Sequence, residues 1–155
     1  MVDINLNIPQ IYKIKLELFE CRKLLLQEGI VDQPQPYVVV KVGDQTVKTE
    51  TKKGDSPSLD QKFDFNLFIF PEELKNQKIS FQVYHKTAFY KSDWFIGSHS
   101  LDVWTVYSKG THMINKQWAI LENEISGSIN SGFIKFSVIV LGESDKMPGI
   151  QILIN

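Results

Sequence analysis

The sequence predicts an all-β fold: an eight-stranded antiparallel β-sandwich with short helices confined to its loops. Three observations carry this expectation. Apolar and polar residues alternate along repeated short segments, as in strands with one buried face. Clusters of Gly, Asp, Ser and Pro punctuate those segments at close spacing. Helical signals are few.

Residues 12–20 set the pattern, with Ile14, Leu16 and Leu18 on one face and Lys13, Lys15 and Glu17 on the other. The same grammar recurs at 37–42, 46–51, 62–68, 79–84, 95–101, 116–121 and 133–141. Gly43-Asp44, Gly54-Asp55-Ser56-Pro57 and residues 126–132 mark turns between them. Pro71-Glu72-Glu73-Leu74 reads as a first helical turn, with Pro at its start and acids against the helix dipole, and residues 102–107 read as a second short helix. Trp118 is expected to pack into the core, as are Leu24 and Phe95, with Trp94 capping it.

The composition suits one globular domain. The 155 residues are 43% hydrophobic and 23% charged, with 17 Lys+Arg against 18 Asp+Glu and the two signs nearly balanced within each half. A net charge of −1 argues against nucleic-acid binding, which draws on a strongly basic face. No segment has the length of a membrane span or the pattern of a signal peptide. Cys21 is the lone cysteine, so no internal disulfide or cysteine-based metal site forms. The chain divides into a lead-in at 1–11, a domain at 12–143, and a linker or start of a next region at 144–155, whose apolar run Ile150–Ile154 is expected to meet the rest of the protein.

The order of particular residues narrows the reading. The opening strand followed by Cys21-Arg22-Lys23-Leu24, then Gln35-Pro36-Tyr37-Val38-Val39-Val40, resembles the start of a C2 domain with its "DPYV" segment. Ser56-Pro57 with Phe63 and Phe65 is similar to the family's "NPxWNexFxF" stretch, Val83-Tyr84-His85 to "VxD", and Phe95-Ile96-Gly97 to "FIG". Residues 102–107, then His112, Lys116–Leu121 and Gly132-Phe133-Ile134-Lys135, resemble the extension after the second C2 domain of ferlins. Ferlins are long cytosol-facing proteins with a C-terminal membrane anchor that act in calcium-linked vesicle fusion and membrane repair. The resemblance implies a circularly permuted, type II C2 topology and a place on the cytosolic face of a vesicle or plasma membrane.

Calcium wants six to eight oxygen ligands, which C2 domains of this kind gather from loop aspartates. At the matching positions this chain carries Gln35, His85 and Thr87, with Asp93 matching after a one-residue insertion and Glu28 or Asp32 as poor substitutes. The expectation is no metal and no cofactor, with calcium binding absent or very weak. His85, His99 and His112 lack the spacing of a zinc motif.

Two surfaces remain for membrane contact. Phe89 and Tyr90 beside Lys86 and Lys91 form a candidate interfacial loop, with rings at headgroup level and lysines facing anionic lipid. Lys41, Lys48, Lys52 and Lys53 form a candidate headgroup site, as the resemblance implies for phosphoinositide-binding relatives. No nucleophile, metal or phosphate-cradling motif is present, so the chain reads as non-catalytic. Two functions are expected as alternatives: calcium-independent docking on anionic membranes, or a structural or protein-interaction module within a parent protein.

Overall fold

The computed structural model describes residues 8–26, 33–87 and 91–147. Its strands are β1 (Gln10–Arg22), β2 (Pro36–Val42), β3 (Gln45–Lys48), β4 (Ser58–Ile69), β5 (Lys78–His85), β6 (Trp94–Asp102), β7 (Met113–Ile120) and β8 (Phe133–Leu141). A 3-10 helix, Pro71–Asn76, follows β4, and one α-helical turn, α1 (Val103–Tyr107), follows β6. Two four-stranded sheets result, ordered β4-β1-β8-β7 and β3-β2-β5-β6, and every ladder is antiparallel. The expected β-sandwich is therefore present.

The alternation in the sequence maps onto the two sides of each sheet. Tyr12, Ile14, Leu16 and Leu18 on β1 face inward against Val38, Val40 and Val42 from β2 and Ile79, Phe81 and Val83 from β5. Phe81 and Phe136 meet between the sheets with ring centroids 5.0 Å apart. Cys21 keeps its inward place because a bulge between Leu18 and Glu20 shifts the register of β1 by one residue. Burial, and secondarily Glu20, raises its thiol pKa to about 12, so it is a packing residue.

Differences from the sequence pattern have local causes. The third strand ends at Lys48 rather than Thr51, because the Val38 N–H donates to the Thr49 hydroxyl and Pro34 and Pro36 have no N–H to extend the ladder. Leu24 is buried as expected, but Phe95 is only half-buried and Trp94 is 38% exposed rather than capping the core. A bulge between Val83 and Tyr84 shifts the β5–β6 register, pairing Phe95 with Tyr84 at 5.6 Å between ring centroids.

In β7 a bulge between Ile114 and Gln117 is bridged by Ser137, whose hydroxyl accepts from the Lys116 N–H and lies 3.0 Å from Asn115 Oδ1. Past that bulge Ala119 faces inward, so Trp118 points outward, not into the core as the sequence pattern suggested. Trp118 is 37% exposed, with the Arg22 guanidinium 5.0 Å and the Lys135 ammonium 5.7 Å from its ring. Cation–π contact holds an aromatic on this outer face.

The two ends of the sandwich differ. At one end α1 carries Tyr107, which stacks on His112 and donates its hydroxyl hydrogen to Asp145 at 2.9 Å. The Gly142 N–H donates to the same carboxylate at 2.7 Å. The opposite end gathers the loops between β1 and β2, β3 and β4, β5 and β6, and β7 and β8. They are knitted by the Leu24 N–H to the Asp55 carbonyl, and the Leu25 N–H to the Ser131 carbonyl, each at 2.9 Å.

Candidate functional site

At the loop end, Gln35 is hydrogen-bonded to His85 and Thr87 to Asp93, so the four positions singled out by the resemblance form two bonded pairs. The Gln35 N–H donates to His85 Nδ1 at 2.9 Å, and the Lys86 N–H returns to the Gln35 carbonyl at 2.9 Å. This ties the start of β2 to the end of β5 through the register Pro36↔His85. Thr87 donates its N–H to Asp93 at 3.1 Å, and its hydroxyl lies 3.0 Å from the carbonyls of Lys91 and Ser92.

Asp93 is held from three sides. Its carboxylate accepts from Tyr37 Oη and from Thr87, and the Lys86 ammonium lies 3.9 Å away. Burial alone would raise the carboxyl pKa, but these partners outweigh it and hold it below the usual carboxylate range. Burial, followed by the hydrogen bond to Asp93, raises the Tyr37 phenol above its own usual range. The oxygens that would face a cation already face phenol, amide and ammonium. Among the described residues, no group of three or more His, Cys, Asp and Glu is placed to hold a metal ion.

His85 is 1% exposed, and burial lowers its pKa, with Asp93 opposing. Its Nδ1 accepts a hydrogen bond, so the neutral ring is the form that fits. Because the folded value lies below the unfolded one, the unfolded chain takes up the proton first. Stability is therefore full above about pH 6.5 and falls as the pH drops toward the folded value. His99, also lowered by burial and opposed by Glu122, acts in the same direction. His85→Asn keeps an acceptor toward Gln35 but does not titrate, so it is expected to reduce the loss of stability between pH 7 and 5. Urea midpoints across that range measure it, and an unchanged slope would refute the assignment.

Beside this network lies the outer face of the β3-β2-β5-β6 sheet. Val39 pairs with Lys48 and Lys41 with Thr46. Partners across a ladder share a face, as do residues two apart, so Lys41 and Lys48 project from the same side. On that side the Lys48 ammonium sits 6.0 Å from the Tyr37 ring, which stacks on Tyr84 at 5.7 Å. Lys52 is placed apart, its N–H on the Pro36 carbonyl and its ammonium 3.6 Å from Glu50. Lys53 is exposed in the same loop. Phe89 and Tyr90 lie outside the described residues, as do Glu28, Asp32 and Ile150–Ile154.

Sequence reasoning missed Tyr37 as the link between Asp93 and the lysine face. The two residues are 56 positions apart, and only the "PYV" tyrosine itself was visible. It also missed the β7–β8 connection, whose Ile125 and Ile129 are exposed.

A two-sheet sandwich of this strand order, with loops massed at one end, matches solved C2 domains. The calcium-bound tandem C2 domains of extended-synaptotagmin 2 superpose with a TM-score of 0.68 at 19% identity, covering 93% of this chain and 48% of that one. The model of the C2 domain family matches residues 12–121, and the chain belongs to that family. Within it, the sequence is similar to ferlins. It is 32% identical to mouse myoferlin over 143 residues, covering 92% of this chain and 7% of the relative. It is 28% identical over 140 residues to Ferlin 2 of Tetrahymena thermophila, covering 88% of this chain and 8% of that protein. The chain thus spans under a tenth of these relatives. No helix among the described residues is long and apolar enough to cross a membrane.

Proposed function

We propose that this is a non-catalytic, calcium-independent C2 module of a ferlin-like membrane-trafficking protein, docking on anionic phospholipid at the cytosolic face of a membrane. The observation that carries the docking is the shared outer face of Lys41 and Lys48 beside the stacked Tyr37 and Tyr84. Two ammonium groups on one sheet face, that of Lys48 lying 6.0 Å from the Tyr37 ring, suit a phosphorylated headgroup. Calcium independence is supported by Asp93, whose carboxylate accepts from Tyr37 and Thr87 and has the half-exposed Lys86 ammonium 3.9 Å away. The permuted topology belongs to the same proposal and is supported by β1 lying between β4 and β8 and running directly into the loop end. The place corresponding to a second ferlin C2 domain rests on the extension through α1 and β7.

Co-sedimentation with neutral, phosphatidylserine and phosphoinositide vesicles tests this reading. Binding is expected to anionic vesicles, equally with calcium and with chelator. Each lysine near an anionic surface contributes about 1 kcal/mol, so Lys41→Ala with Lys48→Ala should weaken binding about 30-fold. Failure to bind any vesicle would sink the proposal, and binding untouched by the double substitution would remove this face from it.

A further inference from the structure

The connection between β7 and β8 forms a narrow hairpin at the loop end. Asn123 and Ser128 bridge across it with reciprocal N–H to carbonyl bonds of 2.9 Å. Ile125 and Ile129 are 85% and 84% exposed, more than any other large hydrophobic among the described residues. Single exposed apolar residues are ordinary, but two on one short hairpin beside further apolar surface are not. Leu25, 60% exposed, is tied to this hairpin through its N–H to Ser131, and half-exposed Trp94 stands across a 170 Å³ depression from Asn123 and Ser126.

Several polar groups of the hairpin bond within it. Asn123 Oδ1 accepts the Ser126 N–H at 3.1 Å, Ser128 Oγ accepts the Asn130 N–H at 3.4 Å, and Asn130 Oδ1 accepts the Gly132 N–H at 3.0 Å. Asn123 Nδ2 reaches the Phe95 carbonyl at 3.1 Å, anchoring the hairpin to β6. Backbone that leaves water must carry its own hydrogen-bond partners, and this turn does so for these groups. A protruding tip also needs no shaped receptor in a bilayer, whereas a protein partner would need a matching cavity. Lys23 is exposed at the same end, where Arg22 is paired with Glu20 at 2.7 Å and lies over Trp118. Glu122 and Glu124 on the hairpin limit entry to the headgroup boundary.

We infer that the hairpin of residues 121–131 is a membrane anchor, inserting Ile125 and Ile129 into the bilayer interface alongside Leu25 and Trp94. The inference rests on the docking proposed above and adds an apolar contact to its lysine face. Ile125→Ser with Ile129→Ser is expected to weaken partitioning onto phosphoinositide vesicles about tenfold or more, since each isoleucine loses part of its transfer free energy. Both side chains are exposed, so the melting temperature should hold. Glu124→Lys should strengthen binding.

A label at the tip reads insertion directly. Cys21 is buried with a raised pKa, so Ile129→Cys supplies the one reactive thiol for an environment-sensitive dye. A blue shift on adding vesicles is expected. Wild-type protein that binds no vesicle would defeat the docking proposal itself. Wild-type binding with an unshifted dye, or undiminished by the double serine variant, would overturn the hairpin anchor and leave the lysine face standing. Self-association lost in the serine variant, with vesicle binding unchanged, would assign the tip to a second copy and also overturn it.

Discussion

Phe136→Ala is expected to destabilise the domain by about 3–5 kcal/mol, with a fall in melting temperature on the order of 10 °C. Phe136 lies on the inner face of β8, 1% exposed, and meets Phe81 from the opposite sheet. Its ring also lies 6.3 Å from His99, whose imidazole is 6.4 Å from Phe81, so three rings from both sheets form one contact. Truncation removes one side of that contact. The walls cannot close the gap, because β8 is held between β1 and β7 and β5 between β2 and β6. The loss therefore combines transfer free energy with a retained cavity. Urea unfolding followed by circular dichroism measures it, with Phe68→Ala as the comparison. Phe68 is 69% exposed on the outer face of β4, and its truncation should cost little. A loss below about 1 kcal/mol at Phe136 would mean that the two sheets are not joined through this contact.

What the sequence made legible follows from which physical signals are local. Strand alternation is local, and it placed Ile14, Leu16 and Leu18 inward and Lys13 and Lys15 outward. It also put Lys41 and Lys48 on neighbouring strands, and the observed register brings them to one face. Bulges are not local signals, because they are set by the partner strand. The one in β7 depends on Ser137, 21 positions from Lys116. Both faces of residues 116–121 carry apolar groups, so alternation alone could not say whether Trp118 or Ala119 faced in. Outward placement of Trp118 depends on Arg22 and Lys135, which no reading of its own segment contains.

The site divides in the same way. That Gln35, His85 and Thr87 are not carboxylates was readable one position at a time, whereas the hydrogen bonds they make were not. Tyr37 and Asp93 come together only when β2 and β5 pair. The β7–β8 hairpin was hidden by its composition: Ser, Gly and Asn mark a turn, and isoleucines scattered among them read as incidental until their exposure is known.

Gly132→Val is expected to cost about 2–4 kcal/mol, and to do so through the loop end rather than the core. Gly132 has φ +134°, a conformation that L side chains rarely adopt. A Cβ there would lie 2.9 Å from Leu24 Cδ2 and 3.1 Å from both the Arg22 carbonyl oxygen and Leu24 Cα. The Leu24 side chain has some freedom to move, but the backbone does not. Leu24 is bonded to Asp55, Leu25 to Ser131, and Gly132 itself accepts from the Leu121 N–H at 2.8 Å. Strain and overlap therefore act together. Gly127→Ala separates them: its φ of +76° is also unfavourable, yet nothing lies within 4 Å of the added Cβ. That variant should lose only about 1 kcal/mol. Because the displaced backbone carries both Leu25 and the β7–β8 hairpin, Gly132→Val should weaken vesicle binding even at temperatures where the protein remains folded. Equal losses of stability for the two glycine variants would show that conformation alone, and not the close approach to β1, requires glycine at this position.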